Sequence, residues 1–396
     1  MRELLFSGII FFHQFRQFSF HKGFSMKKYF LLILVFTVAC TGKNAEPVIE
    51  IVPTYTPQIT ATAVPPTPLP TPTLVPVEYS DAEFLDFPDA VSFRLMDYNI
   101  NWDSIFPDDD LQNMGYREIN RQDEFSRLVN AIQPDIICLQ EINPARKPQQ
   151  IADMLIEITG DENWKAVSER DNVIATRFDF IEGYIFDISN YPPELPQAVS
   201  MIDLPDEKFG ETDLFAICAH FKAAGTSSDI KTRQRQADVL LNRIGDAMTP
   251  GDSIDLPINT PYLLMGDFNV YDTDPAYHLT SMITGDIVDE DRYGGDISPD
   301  WDGTDLGDVY PSINNQGLDW DTWRDDGSPY SSGALDRILY TDSILKVINS
   351  AILDTTLLTD EAFDKYGLDF GDVLFASELG NYDHLPIVID FELIAQ

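Results

Sequence analysis

Leu264-Met265-Gly266-Asp267-Phe268-Asn269 carries an apolar run, of the kind that ends a buried strand, through one glycine to a carboxylate and a carboxamide. The two polar side chains are two residues apart, so both leave the strand tip on the same side. That pair suits the handling of water beside a phosphorus centre. Asp267 can take a proton from an attacking water or orient it, and Asn269 can hold that water or an anionic phosphoryl group without adding charge. Gly and Asp also suit an ordinary turn, so the hexapeptide gains weight only from the rest of the chain.

Four more strand ends carry polar groups of the same kind. Phe93 to Asn99 reads as a first strand ending in Asn99. Asp135-Ile136-Ile137-Cys138-Leu139-Gln140-Glu141 reads as a buried strand that delivers Glu141 at its tip, where a hard cation fits. Leu214 to Ala219 leads into His220, and Asn381-Tyr382-Asp383-His384-Leu385-Pro386 precedes a closing strand from Ile387 to Leu393. Asp336 lies in Ala334-Leu335-Asp336-Arg337-Ile338-Leu339-Tyr340. A single Glu or His in such a place is usually a hydrogen-bonded structural residue. Five polar tips in one chain point instead to a shared site.

In order and local context these segments resemble the endonuclease/exonuclease/phosphatase family, the DNase I-like phosphoesterases. The matching pieces are Met96-Asp97-Tyr98-Asn99, Ile137-Cys138-Leu139-Gln140-Glu141, Asn172-Val173-Ile174-Ala175-Thr176-Arg177, Ala219-His220-Phe221-Lys222, Gly266-Asp267-Phe268-Asn269, Leu335-Asp336-Arg337 and Tyr382-Asp383-His384-Leu385-Pro386. Gly-Asp-Phe-Asn followed much later by Asp-His-x-Pro is the specific part, and the resemblance covers residues 90 to 393. It implies an α/β fold of four layers, two mixed β-sheets packed face to face with helices outside and the site where strand ends converge.

The resemblance also implies roles. Glu141 is the main ligand of a Mg²⁺ or Mn²⁺ ion, with Asn99 beside it and Asp383 as a further carboxylate. His384 meets the scissile phosphate, and Asp336 bonds its other ring nitrogen, fixing the tautomer and favouring the protonated form. His220 and Asn172 donate to phosphate oxygens, while Asp267 and Asn269 position an in-line water. Two departures stand out. Tyr382 replaces the Ser that many members carry before the closing Asp-His, which bears on pocket width. Arg170-Asp171-Asn172 lacks the tyrosine that DNA-repair members turn towards phosphate; Arg170 stands there, and its ordinary reading is a surface ion pair.

The front of the chain predicts export. Met26-Lys27-Lys28, the apolar run Tyr29 to Ala39 and then Cys40 look like a secretory signal with a lipoprotein cleavage site, Cys40 becoming the lipidated residue. A plain signal peptide or an uncleaved anchor is the alternative, because Thr37 stands where such signals usually carry Leu. Residues 1–25 read as an upstream extension of the gene model and 26–40 as the signal. Within 41–80, the Pro/Thr-rich stretch from Pro47 to Pro76 cannot join a sheet or helix and reads as a spacer. Residues 81–396 form the one enzymatic domain, expected to be monomeric and to meet a membrane only through its anchor.

Composition agrees with a large single core, with 44% hydrophobic and 12% aromatic residues. Cys138 and Cys218 sit inside apolar strands and read as small buried hydrophobes with no disulfide. Lys and Arg number 26 against 66 Asp and Glu, a net charge of −40, which counts against tight sequence-independent binding of duplex nucleic acid. Lys222 and then Lys231, Arg233, Arg235 and Arg243 on a predicted helix run against that trend; they read as a funnel for phosphate or as cations paired on a solvated helix face. A second amphipathic helix is predicted from Glu118 to Ile132. Gly285 to Gly333 reads as a long surface loop with Trp301, Trp320 and Trp323 to line or plug a cleft. Its carboxylates Asp296, Asp300, Asp302, Asp305 and Asp308, and Asp319, Asp321, Asp325 and Asp326, suffice for a structural Ca²⁺ but match no EF-hand spacing.

The expectation is therefore a surface-anchored, metal-dependent phosphoester hydrolase, with a nuclease foremost among its substrate classes. A sphingomyelinase-like lipid-headgroup phosphodiesterase and a sugar-phosphate phosphatase are alternatives on the same fold. A tethered binding lipoprotein on an inactive scaffold is the non-enzymatic alternative; the complete set Glu141, Asp267, Asn269, Asp336, Asp383 and His384 argues against it.

Overall fold

A strand covered on both faces shows no apolar alternation, and Ile136–Gln140 and Tyr262–Asp267 are such strands, buried at every position. The computed structural model describes residues 78–87, 92–106, 120–184, 197–251, 254–270, 278–375 and 383–394, all within the unit Thr73–Gln396. Twelve strands follow in chain order among them: β1 (Ser92–Asn99), β2 (Ile136–Gln140), β3 (Lys165–Glu169), β4 (Asn172–Thr176), β5 (Asp179–Ile181), β6 (Gln197–Asp203), β7 (Leu214–Ala219), β8 (Tyr262–Asp267), β9 (Gly307–Val309), β10 (Asp336–Tyr340), β11 (Leu345–Ile352) and β12 (Ile387–Leu393). The helices are α1 (Gln122–Ile132), α2 (Pro148–Thr159), α3 (Asp206–Phe209), α4 (Ser227–Met248), α5 (His278–Thr284), α6 (Glu290–Tyr293) and α7 (Asp360–Tyr366). None of the described helices is long and apolar enough to cross a membrane.

One sheet runs β11-β12-β1-β2-β4-β3 and the other β5-β6-β7-β8-β10-β9. β1–β2 and β7–β8 are parallel and the remaining neighbours antiparallel, so both sheets are mixed. Leu95, Cys138 and Ile389 of the first sheet share one buried cluster with Ala216, Met265 and Ile338 of the second. On the second sheet's other face, Leu240 and Ile244 of α4 and Met282 of α5 pack on Ile217 and Leu264. α1 and α2 bring Phe125, Leu128 and Ile151 to the first sheet. The four layers expected from the sequence are present.

Three readings change. Cys138 and Cys218 form a disulfide between β2 and β7, their Cα atoms 5.6 Å apart across 80 residues of sequence; face-to-face packing of the sheets makes neighbours of two cysteines that the sequence presents as unrelated. Helix α1 starts at Gln122, after Arg121, rather than at Glu118, and residues 107–119 lie outside those described. The segment 285–333 is not all loop, since α6 and β9 fall within it. The extension, the signal with Cys40, the Pro/Thr-rich spacer and Tyr382 lie outside the described residues.

Candidate active site

Strand direction decides which side chains meet. Parallel neighbours end together, and an antiparallel neighbour begins where its partner ends. Asn99, last residue of β1, pairs with Gln140 at the end of β2, which puts Glu141 beside it. β12 runs antiparallel to β1 with Ile387 opposite Asp97, so Asp383 and His384 arrive at that same end. In the second sheet β7 releases His220, and β10 begins at Asp336 directly opposite Asp267. Seven of the residues singled out from the sequence are thereby gathered at one end of the two sheets.

Asp267 is the hub. Its Oδ2 accepts from Asn99 Nδ2 at 3.1 Å and lies 3.6 Å from Nε2 of both His220 and His384. Its Oδ1 accepts from the Asn269 backbone N–H at 2.9 Å, while Asn269 Nδ2 donates to the Phe221 carbonyl. His384 turns Nδ1 to Asp336 at 2.7 Å, and the Asp336 N–H donates to Thr322 Oγ1. Glu141 accepts from Asn99 Nδ2 at 3.3 Å and from the Trp102 N–H at 2.9 Å. Asp383 accepts from Asn101 Nδ2.

The backbone is bent to achieve this. Asn101, Trp102 and Asp103 are consecutive left-handed residues with φ of 53°, 59° and 62°, and Glu141 and Asn269 stand at 64° and 54°. Non-glycine residues held there cost of order 1 kcal/mol or more each and persist where the surroundings fix them. Gly266 has φ 129°, and a Cβ on it would lie 2.1 Å from the Ala219 carbonyl oxygen, so only glycine lets β8 run this close to β7.

Burial and charge act against each other here. Burial alone would lower the pKa of His384, but the charge and hydrogen bond of Asp336, with Asp267 and Asp383, push it up to about 10. His220 is likewise lowered by burial and raised more by Asp171, Asp267 and Glu141, to about 9. Burial lifts Asp267, the charge of His384 opposes this and Asp336 reinforces it, for a value of about 6. At neutral pH the site therefore holds two imidazolium donors around a carboxylate.

Asp267, Asp336 and His384 have ligand atoms within 4.8 Å of one another, the one such acid and imidazole group of three among the described residues. Asp336 is engaged on Nδ1 of His384, so His384 presents Nε2, 3.6 Å from Asp267 Oδ2. Glu141 and Asp383, which line one cavity, and Asn99 beside Glu141 could supply the oxygens that a hard divalent cation takes, and Oδ1 of Asn101, which bonds Asp383 through Nδ2, is buried with no partner.

A cavity of about 280 Å³ opens over these groups, lined by Glu141, His220, Asp267, Asn269, Asp383 and His384 and walled by Trp323 and Tyr330. Of the three tryptophans of 285–333, Trp323 lines it; Trp301 donates to the Thr260 carbonyl and Trp320 stacks on Tyr310, 6.1 Å away. Asn172 does not line this cavity; it is fully buried, with Nδ2 donating to Asp171 and Oδ1 unpartnered. Arg233 corrects the solvated-face reading: it is buried and its Nη1 donates to the carbonyls of Lys222 and Ala224, holding the segment beside the site. Arg243 does pair with Asp246, at 3.6 Å. In the acidic segment Asp300 is buried and accepts from the N–H groups of Trp301 and Ser343, and Asp308 pairs with Arg337.

Two residues escaped the sequence reading. Asp171 bonds His220 Nδ1 at 2.9 Å, the counterpart of Asp336 on His384, yet it lies on a turn where Asp is common. Asn101 ties Asp383 to the end of β1; its signal is the Asn-Ile-Asn pattern, with a second amide two residues after Asn99.

Residues 98–360 match the Endonuclease/Exonuclease/phosphatase family. Similar solved structures include an endonuclease/exonuclease/phosphatase from Beutenbergia cavernae at 17% identity, covering 76% of this chain and 72% of that one with a TM-score of 0.44. Another from Bacteroides vulgatus is 16% identical over 76% and 99%, TM-score 0.47. The human Nocturnin catalytic domain with bound sulfate anion is 16% identical over 77% and 96%, TM-score 0.45. No curated protein matches the chain.

Proposed function

We propose, from the premise that the chain belongs to the endonuclease/exonuclease/phosphatase family, that it is a metal-dependent phosphoester hydrolase acting by in-line attack of water. The observation that carries this reading is the Asp336–His384–Asp267 array beside Asn99 and Glu141 at one cavity. Asp267 accepts the proton of the attacking water as its oxygen bonds to phosphorus and the ester oxygen leaves. Asn269 fixes where Asp267 points through its N–H. Protonated His384 and His220 donate to the phosphoryl oxygens, where negative charge grows, and Asp336 and Asp171 keep them charged and oriented. Glu141, Asp383 and Asn99 would hold Mg²⁺ or Mn²⁺, which supplies charge neutralisation at a phosphoryl or leaving oxygen.

A nuclease is the foremost reading. The net charge of −40 favours instead a lipid-headgroup or sugar-phosphate substrate, which needs no long basic track. We also propose that the enzyme works outside the cytoplasm, anchored through a lipidated Cys40. The Cys138–Cys218 disulfide supports an oxidising compartment. The test is turnover of bis-p-nitrophenyl phosphate, plasmid DNA, RNA, sphingomyelin and a sugar phosphate with Mg²⁺, Mn²⁺ or EDTA. Metal-dependent release from at least one substrate is expected. No turnover on the whole panel favours a tethered binding protein and sinks the enzymatic reading.

A further inference from the structure

We propose that the groove next to the catalytic cavity is a subsite for a second phosphate of the substrate, held by Arg170 and Lys222. The inference rests on the phosphoester reading above and names a class of substrate for it. The groove measures about 590 Å³ and shares Glu141, His220 and Ala223 with the catalytic cavity. Arg170 and Lys222 line the groove but not the cavity. A ligand whose scissile phosphate sits between His220 and Asp267 and extends past His220 therefore runs into these two cations.

Arg170 is held there against its backbone preference. It sits in the two-residue turn between Glu169 and Asn172, which pair across β3 and β4, with φ 54°, a position that suits glycine. Its turn partner Asp171 orients His220, so one hairpin tip places both a catalytic support and a cation. Arg170 is exposed and, among the described residues, makes no ion pair, in a chain where acids outnumber bases 66 to 26. The surface ion pair expected for it is absent there. Lys222 Nζ lies 3.7 Å from Asp229 and donates to the Ala223 carbonyl. The groove's own carboxylates are engaged: Asp171 with His220 and Asn172, Asp229 with the Thr226 hydroxyl and N–H, Glu141 with Asn99 and Trp102. Half-exposed Trp102 completes the wall.

The test compares p-nitrophenyl esters of thymidine 5′-phosphate with a 3′-hydroxyl, a 3′-phosphate, or a 3′-phosphodiester to a second nucleoside. The parent protein should prefer the 3′-phosphorylated esters by about tenfold in kcat/KM, through KM, the scale of a charge-assisted contact. Arg170→Gly should abolish that preference while Tm stays level or rises, because the turn is relieved. Arg170→Lys should keep part of the preference. Equal gain from monoester and diester assigns the second phosphate to a polynucleotide backbone; gain from the monoester alone assigns it to a doubly phosphorylated small molecule. Turnover without preference in the parent, or preference that survives Arg170→Gly, overturns the subsite and leaves the hydrolase reading standing. No turnover of any ester with any divalent cation removes both.

Discussion

In the proposed mechanism Asp267 and the two histidines set the pH at which the site is armed. As pH rises through about 6, Asp267 becomes a carboxylate able to take a proton; as it rises through about 9, His220 loses the proton it offers to phosphate. A plot of kcat/KM against pH should therefore be a bell with limbs near those values. Asp336 supplies much of what raises His384, so Asp336→Asn should bring His384 below His220 and thereby move the alkaline limb to lower pH as well as slow turnover. An alkaline limb that does not move would remove Asp336 from this role. At this scale the sequence was informative where a polar residue interrupts an apolar strand, as at Asp267, Glu141 and His220. It was silent where a residue matters only through a partner: Asp171 sits on a turn that accepts Asp for local reasons, and only the packing of β4 beside β7 turns it towards His220.

Two elements carry the site, the β7–β8 pair and the seam between the sheets. At Gly266 any side chain would meet the Ala219 carbonyl at 2.1 Å. Gly266→Ala should cost about 3 kcal/mol or more, read from the urea midpoint, because β8 must shift away from β7. The Cys138–Cys218 link closes a loop of 80 residues, and reducing it should lower stability by about 2–4 kcal/mol in the same measurement. Unchanged midpoints would mean that neither constraint matters. Strands such as β2, β7 and β8 were legible because burial on both faces writes itself as unbroken apolar runs, whereas β3, β5, β6, β9 and β11 were not singled out. The disulfide was not, since pairing across two sheets leaves no mark on local sequence, and Arg233 read as a surface cation because helical spacing cannot show that the Lys222–Ala224 segment folds over it.

For the whole molecule, charge decides how a polyanion reaches the site. With a net charge of −40, raising salt from about 20 mM to about 200 mM should speed the capture of plasmid DNA by screening repulsion. A basic nuclease would behave in the opposite way. A fall in kcat/KM over that range would indicate a cationic track that outweighs the net charge. The four-layer fold followed from the family resemblance that the strand-tip motifs carry, and its substrate did not, because one architecture serves many phosphoesters. The central claim is that tips from both sheets act on one phosphate, Glu141 from the first and Asp267 from the second. A double-mutant cycle on kcat/KM with Glu141→Gln, Asp267→Asn and both together tests it. Two groups serving one transition state should be strongly non-additive, the double variant losing little more than the worse single variant; losses that simply multiply would contradict a shared site.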